Sequence, residues 1–140
     1  MILDTSAVLQ ILRDRSFFEK LKEKIDDEVK ITSITAYELL RGAAYIKLRD
    51  GREKELELIR NFVKDVEVLP FDAKDAGISA MIWASLKSKG YEVNDADIMI
   101  SAVSIREQEK LLTLDRDFEL IKAVAELDVE IIEKVIDQNP

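Results

Sequence analysis

The chain has 140 residues, 47% of them hydrophobic and 36% charged, enough for one globular domain with a sizeable core. Lysine and arginine number 21 against 29 aspartates and glutamates, a net charge of −8 whose field repels polyanions unless cations or local basic patches intervene. Histidine and cysteine are both missing, which excludes Ser-His-Asp triads, Cys-His pairs, histidine-ligated zinc, iron-sulfur clusters and dithiol chemistry, and leaves carboxylates as the leading catalytic candidates.

In chain order, Met1 to Leu3 reads as a short strand. Leu9 to Lys24 follows as two helices broken near Asp14 to Ser16, and Val29 to Thr32 is a second strand. Ser33 or Thr35 can cap a helix running to about Lys47, with Ile34, Tyr37, Leu40 and Ala44 as its apolar stripe. Arg52 to Val63 is helical through Leu56, Ile59 and Val63, and Val66 to Leu69 is a third strand. Asp72 suits an N-cap for a long helix ending near Gly90, with Ala76, Ala80, Trp83 and Leu86 inward. A helix from Asp95 to Gln108, a strand from Leu111 to Thr113, a helix from Phe118 to Leu127 and a strand from Val129 to Ile132 complete the pattern. Strands separated by helices too long for hairpins imply a three-layer α/β/α sandwich with a central, mainly parallel sheet, and residues 1–140 read as a single domain. No run approaches the roughly 20 apolar residues of a membrane span, and the start MILDTS lacks a signal peptide's basic region, so a soluble cytoplasmic protein is expected.

In an open parallel sheet, functional groups collect beyond the carboxyl ends of the strands. Asp4 follows the first strand, Glu38 lies about a turn into the helix after the second, Asp97 is in the first turn of its helix, and Asp115 follows the Leu111 strand. Each has a plain structural explanation. Asp4 can cap the helix after it, and Glu38, set in a largely apolar sector next to Gly42, can pair with Arg41 or a neighbouring helix. Asp97 gains from the positive end of its helix, with Asp95 as the expected cap and Ser101 and Ser104 leaving space along its face. Either Asp115 or Asp117 can cap the next helix; Asp115 is assigned to the site and Asp117 to its support. Gathered together, the four acids would not stay ionised unaided. Two carboxylates about 5 Å apart repel by roughly 3 kcal/mol at an effective dielectric near 20. A dication reverses that sign, and hard oxygen donors favour Mg2+ or Mn2+.

Four segments then match a known family: LDTS at Leu3 to Ser6, TAYELLRG at Thr35 to Gly42, NDADIMISA at Asn94 to Ala102, and LLTLDRDF at Leu111 to Phe118. In that order and spacing the chain resembles a PIN-domain ribonuclease, and among those the VapC-type toxins of prokaryotic toxin-antitoxin pairs. The resemblance implies Mg2+- or Mn2+-dependent cleavage of RNA, with Asp4, Glu38, Asp97 and Asp115 as catalytic acids and metal ligands. It places Ser6 and Thr113 at hydroxyl positions that support the first and last acids, and it implies a cognate antitoxin and a homodimer as partners. The link from Val103 to Leu111 lacks the glycine on which relatives often turn, so its helix is expected to run longer; the tail from Asp128 to Pro140 is poorly matched.

Two other readings compete. One is a catalytically silent PIN-like module that binds protein or RNA. The other is a phosphoryl-transfer α/β protein with an Asp nucleophile, although Ser6 stands where phosphatases of the haloacid dehalogenase type expect a second Asp. Arg41, Lys47, Arg49, Arg52 and Lys54 form a basic stretch able to guide phosphates or simply to be a solvated face. Tyr45, Ile46, Leu48 and Phe62 suggest a partner groove, which core packing explains equally well.

Overall fold

The computed structural model describes residues 1–24 and 28–133. The last residues of the expected C-terminal tail, from 134 onward, lie outside the described residues. Five short runs pair as strands: β1 (Ile2–Leu3), β2 (Lys30–Thr32), β3 (Glu67–Leu69), β4 (Leu111–Thr113) and β5 (Val129–Ile131). All are parallel and ordered β3-β2-β1-β4-β5. The helices are α1 (Thr5–Arg13), α2 (Arg15–Lys24), α3 (Ser33–Asp50), α4 (Lys54–Asp65), α5 (Ala73–Ser88), α6 (Asp95–Glu107) and α7 (Phe118–Lys122).

Because strand side chains alternate, consecutive residues feed two cores. Leu3, Ile31 and Leu112 pack with Val8, Leu39, Leu56 and Ile59 from α1, α3 and α4. Ile2 and Leu111 pack instead with Ile82, Leu86, Ile100, Val103 and Phe118 from α5, α6 and α7. The sandwich expected from the alternation is therefore the one observed. Among the described residues, no helix is long and apolar enough to cross a membrane.

The sheet order also locates a crevice. From β1 the chain winds through β2 to β3 on one side; it then crosses over to β4 on the other side of β1 and continues to β5. The connections thus diverge between β1 and β4, and open α/β sheets bind ligands beyond the carboxyl ends of strands at such a point.

Several helix details differ from expectation. The cap of α3 is Thr32, whose hydroxyl accepts from the Thr35 amide at 3.1 Å. Its buried face is Thr35, Ala36, Leu39 and Ala43, with Tyr37 outside. On α5 the buried residues are Asp75, Ser79, Ile82 and Leu86, whereas Ala76, Ala80 and Trp83 are exposed. Asp72 does cap α5, within a reciprocal capping box with Asp75. Helix α6 does not lengthen for want of a glycine, because Gln108 itself takes the left-handed conformation, φ 55°, and ends it. Helix α7 stops at Lys122, shorter than expected.

Candidate active site

Asp4 leaves β1 at the crevice and is 2% exposed. Its Oδ1 accepts from the Ala7 amide at 2.9 Å, so it caps α1, and from the Ser6 hydroxyl at 2.8 Å. Its Oδ2 accepts from the Thr113 hydroxyl at 2.5 Å, across from β4. The two hydroxyls are held in turn: Thr113 Oγ1 accepts from the Asp115 amide at 2.9 Å, and Ser6 Oγ from the Leu114 amide at 3.0 Å. Ser6 and Thr113 therefore lock the ends of β1 and β4 together around one carboxylate. Burial raises the pKa of Asp4, its hydrogen bonds pull it down in part, and the charge of Asp115 adds to the rise.

Asp97 arrives from α6. Its amide donates to Asn94 Oδ1 at 3.0 Å, so Asn94 rather than Asp95 is the cap, and Asp95 is exposed in the first turn. The Asp97 carboxylate is 8% exposed, and its Oδ2 has no hydrogen-bond partner. Burial first, then the charges of Asp115, Asp4, Glu38 and Asp117, push its pKa up to about 7. The three other expected acids, with Asp117, are thus close enough to act on Asp97. Oxygens of Asp97, Asp115 and Asp117 lie within 4.8 Å of one another, which gives Asp117 a place among them that the sequence reading assigned to support.

Glu38 reaches the site from α3 and is held by Thr5, whose hydroxyl donates to its Oε1 at 2.6 Å. Arg41 Nη2 lies 3.5 Å from Oε2, so the expected ion pair exists, from a largely exposed arginine. Among the described residues no lysine or arginine pairs with Asp4, Asp97, Asp115 or Asp117. A buried carboxylate oxygen with no donor is costly, and three converging carboxylates offer only hard oxygen ligands, so the residues present fit a divalent cation.

Of the basic stretch, Lys47 pairs with Glu53 at 3.0 Å and Arg49 with Asp50 at 2.9 Å, in addition to Arg41 with Glu38, while Arg52 and Lys54 have no carboxylate partner among the described residues. Sequence reasoning missed Thr5 and Asn94. Asn94 was findable, as a good capping residue three before Asp97; Thr5 carries no periodic signal, since its partner is 33 positions away.

A family profile described as the PIN domain matches residues 1–124. Ribonuclease VapC5 of Mycobacterium tuberculosis is 30% identical over 128 residues, covering 91% of this chain and 92% of that protein. The crystal structure of VapBC-5 from Mycobacterium tuberculosis, a member of the VapBC family of toxin-antitoxin systems, matches at 28% identity with a TM-score of 0.70, covering 95% of this chain and 97% of the other. VapBC2 from Rickettsia felis, bound to a DNA fragment from its promoter, shares the fold with a TM-score of 0.78 at 22% identity, covering 94% and 98%.

Proposed function

We propose, starting from the fact that this chain belongs to the PIN-domain family, that it is a metal-dependent endoribonuclease and the toxin of a VapBC-type toxin-antitoxin pair. The observation that carries this reading is the group of acids at the β1–β4 crevice, one with a buried oxygen lacking any donor. Residues 1–140 act as one nuclease domain. Asp4, Glu38, Asp97 and Asp115 are the catalytic acids and would hold Mg2+ or Mn2+, joined by Asp117. When bound, such a cation supplies charge neutralisation at the scissile phosphate and a lowered pKa for the attacking water.

The chain's own residues orient the acids. Ser6, Thr113 and the Ala7 amide fix both oxygens of Asp4, and Thr5 fixes Glu38. With water attacking phosphorus and the 3′-oxygen leaving, the products carry a 5′-phosphate and a 3′-hydroxyl. The relatives solved as VapBC complexes support an antitoxin as partner. An outward stripe on α3, Tyr37, Tyr45 and Leu48, supports a protein contact there and hence a homodimer, which sizing at several concentrations tests.

Asp4→Asn and Asp97→Asn should each abolish cleavage of RNA in Mg2+ or Mn2+ while the circular dichroism of the fold persists. Full activity in both variants overturns the assignment. A catalytically silent module would instead show no acid-dependent heat on titration with Mn2+.

A further inference from the structure

We propose that the cavity between the C-terminal end of α5 and the start of α6 is a nucleobase subsite, in which a base of the RNA strand stacks on Trp83 beside the wall that Tyr91 forms. The inference rests on the nuclease reading above and adds a binding site to it. The cavity measures about 520 Å³ and is lined by Trp83, Leu86, Lys87, Tyr91 and Asn94 among others, within the roughly 300–1,000 Å³ of sites that take small organic groups.

Its wall is built, not incidental. Gly90 at φ 77° ends α5 in a Schellman turn: the Gly90 amide donates to the Lys87 carbonyl at 3.0 Å and the Tyr91 amide to the Leu86 carbonyl at 2.9 Å. That motif brings the residue after the glycine against the last turn of the helix, and Leu86 and Tyr91 both line the cavity. Two large aromatics nevertheless stay open to solvent, Trp83 at 49% and Tyr91 at 42%. Lys87 holds its ammonium 5.5 Å from the Trp83 ring centroid and has no carboxylate partner among the described residues.

The cavity and the acid Asp97 share the start of α6. Asn94, which lines the cavity, accepts the Asp97 amide, and Ile98, which follows Asp97, lines it too. One turn of α6 therefore carries an acid of the site and a wall of the cavity. A protein of net charge −8 gains little from long-range attraction to RNA, so affinity must come from contacts that charge does not govern. Base stacking is such a contact, tolerant of sequence because every base has a π-face. Glu92, also in the lining, repels phosphate, which turns the base inward and leaves the backbone to Lys87.

The test uses fluorescently labelled octa-adenylate and octa-uridylate RNA in Mg2+, with Asp4→Asn as the parent so that no cutting occurs. Binding by the parent should quench the emission of Trp83, the sole tryptophan. Trp83→Ala should weaken binding about tenfold at low and high salt alike, Trp83→Phe should retain most of it, and Lys87→Ala should lower the slope of log affinity against log salt by about 0.7. In the active background Trp83→Ala should raise KM more than it lowers kcat. If the protein cuts RNA and Trp83→Ala binds and cuts as well as its parent, the subsite is refuted while the nuclease reading stands. A change in oligomeric state with RNA affinity intact also refutes it, by making Trp83 a protein contact. If no RNA is bound or cut by any form, both proposals fall.

Discussion

Asp97→Asn should make the metal-free protein more stable while destroying its activity. The carboxyl has its pKa pushed up from the ordinary 3.8 to about 7, so the native state holds the proton more tightly than the unfolded chain does. Ionising it in the folded protein therefore costs stability. The penalty is nil below pH 3.8, grows as pH rises, and is complete above about 7. At about 1.4 kcal/mol per pH unit, the gap corresponds to roughly 4 kcal/mol. The replacing amide still sits in the crevice without its full complement of partners, which gives back about 1–2 kcal/mol. A net gain of about 2–3 kcal/mol is expected at pH 8 in EDTA, read from urea denaturation midpoints at unchanged slope. The wild type should gain on the variant as pH falls towards 5; Asp4, whose pKa burial also raises, is common to both proteins and leaves that difference unchanged. Saturating Mn2+ at 100 times its Kd should stabilise the wild type by about 2.7 kcal/mol and the variant far less. A variant less stable than wild type at pH 8 in EDTA, or a difference that ignores pH, refutes the argument that uncompensated charge is stored at this site.

Three further outcomes test the surrounding structure. Arg106 grips the fully buried Asp75 through Nε at 2.5 Å and Nη2 at 3.0 Å, so Arg106→Met should cost about 3–5 kcal/mol in thermal or chemical denaturation, much of it recovered when Asp75→Leu is added. Thr5→Val removes the donor to Glu38 and should cut activity about tenfold by analogy with other supporting hydrogen bonds around metal ligands; Thr5→Ser should stay near wild type. Gln108→Gly relieves a left-handed residue at φ 55° and should raise stability by about 0.5–1 kcal/mol, measured as a higher denaturation midpoint.

The strands were legible because short apolar runs between long helices imply a parallel arrangement, and the acids because Asp4 and Asp115 follow strands, Asp97 opens a helix and Glu38 stands in a largely apolar sector of α3. The inner faces of α3 and α5 were not. The expected stripes put Tyr37 and Trp83 inward on the rule that large apolar residues are buried, yet both lie outside. On α5 the buried row Asp75, Ser79, Ile82, Leu86 keeps helical spacing but begins with a carboxylate and a hydroxyl, so hydrophobicity marks only its second half, where Leu86 was placed correctly. What allows the burial is Arg106 on α6, 31 positions away, a partner that local pattern does not reveal. Helix α6 hides its face differently: Ile98 and the whole run from Ile100 to Ser104 are buried, leaving no polar side to define a stripe.

The distribution of cations explains why this crevice calls for a metal ion. Arg116 stands between Asp115 and Asp117 in sequence, where it could neutralise either. Its guanidinium turns instead to Glu133 at 2.9 Å and Glu119 at 3.5 Å. Lys30 is committed to Glu109 at the opposite ends of the strands, and Arg106 to Asp75. Glu38 alone of these acids has a cationic partner among the described residues, the largely exposed Arg41; Asp4 and Asp115 are positioned by hydroxyls and amides, which orient a carboxylate without cancelling its charge, and Asp97 keeps a buried oxygen with no donor at all. A cluster meant only to stabilise the fold would gain from an arginine at that point. Withholding one leaves the neutralising charge to come from solvent as a small dication, so that positive charge is present where an incoming phosphate also needs it.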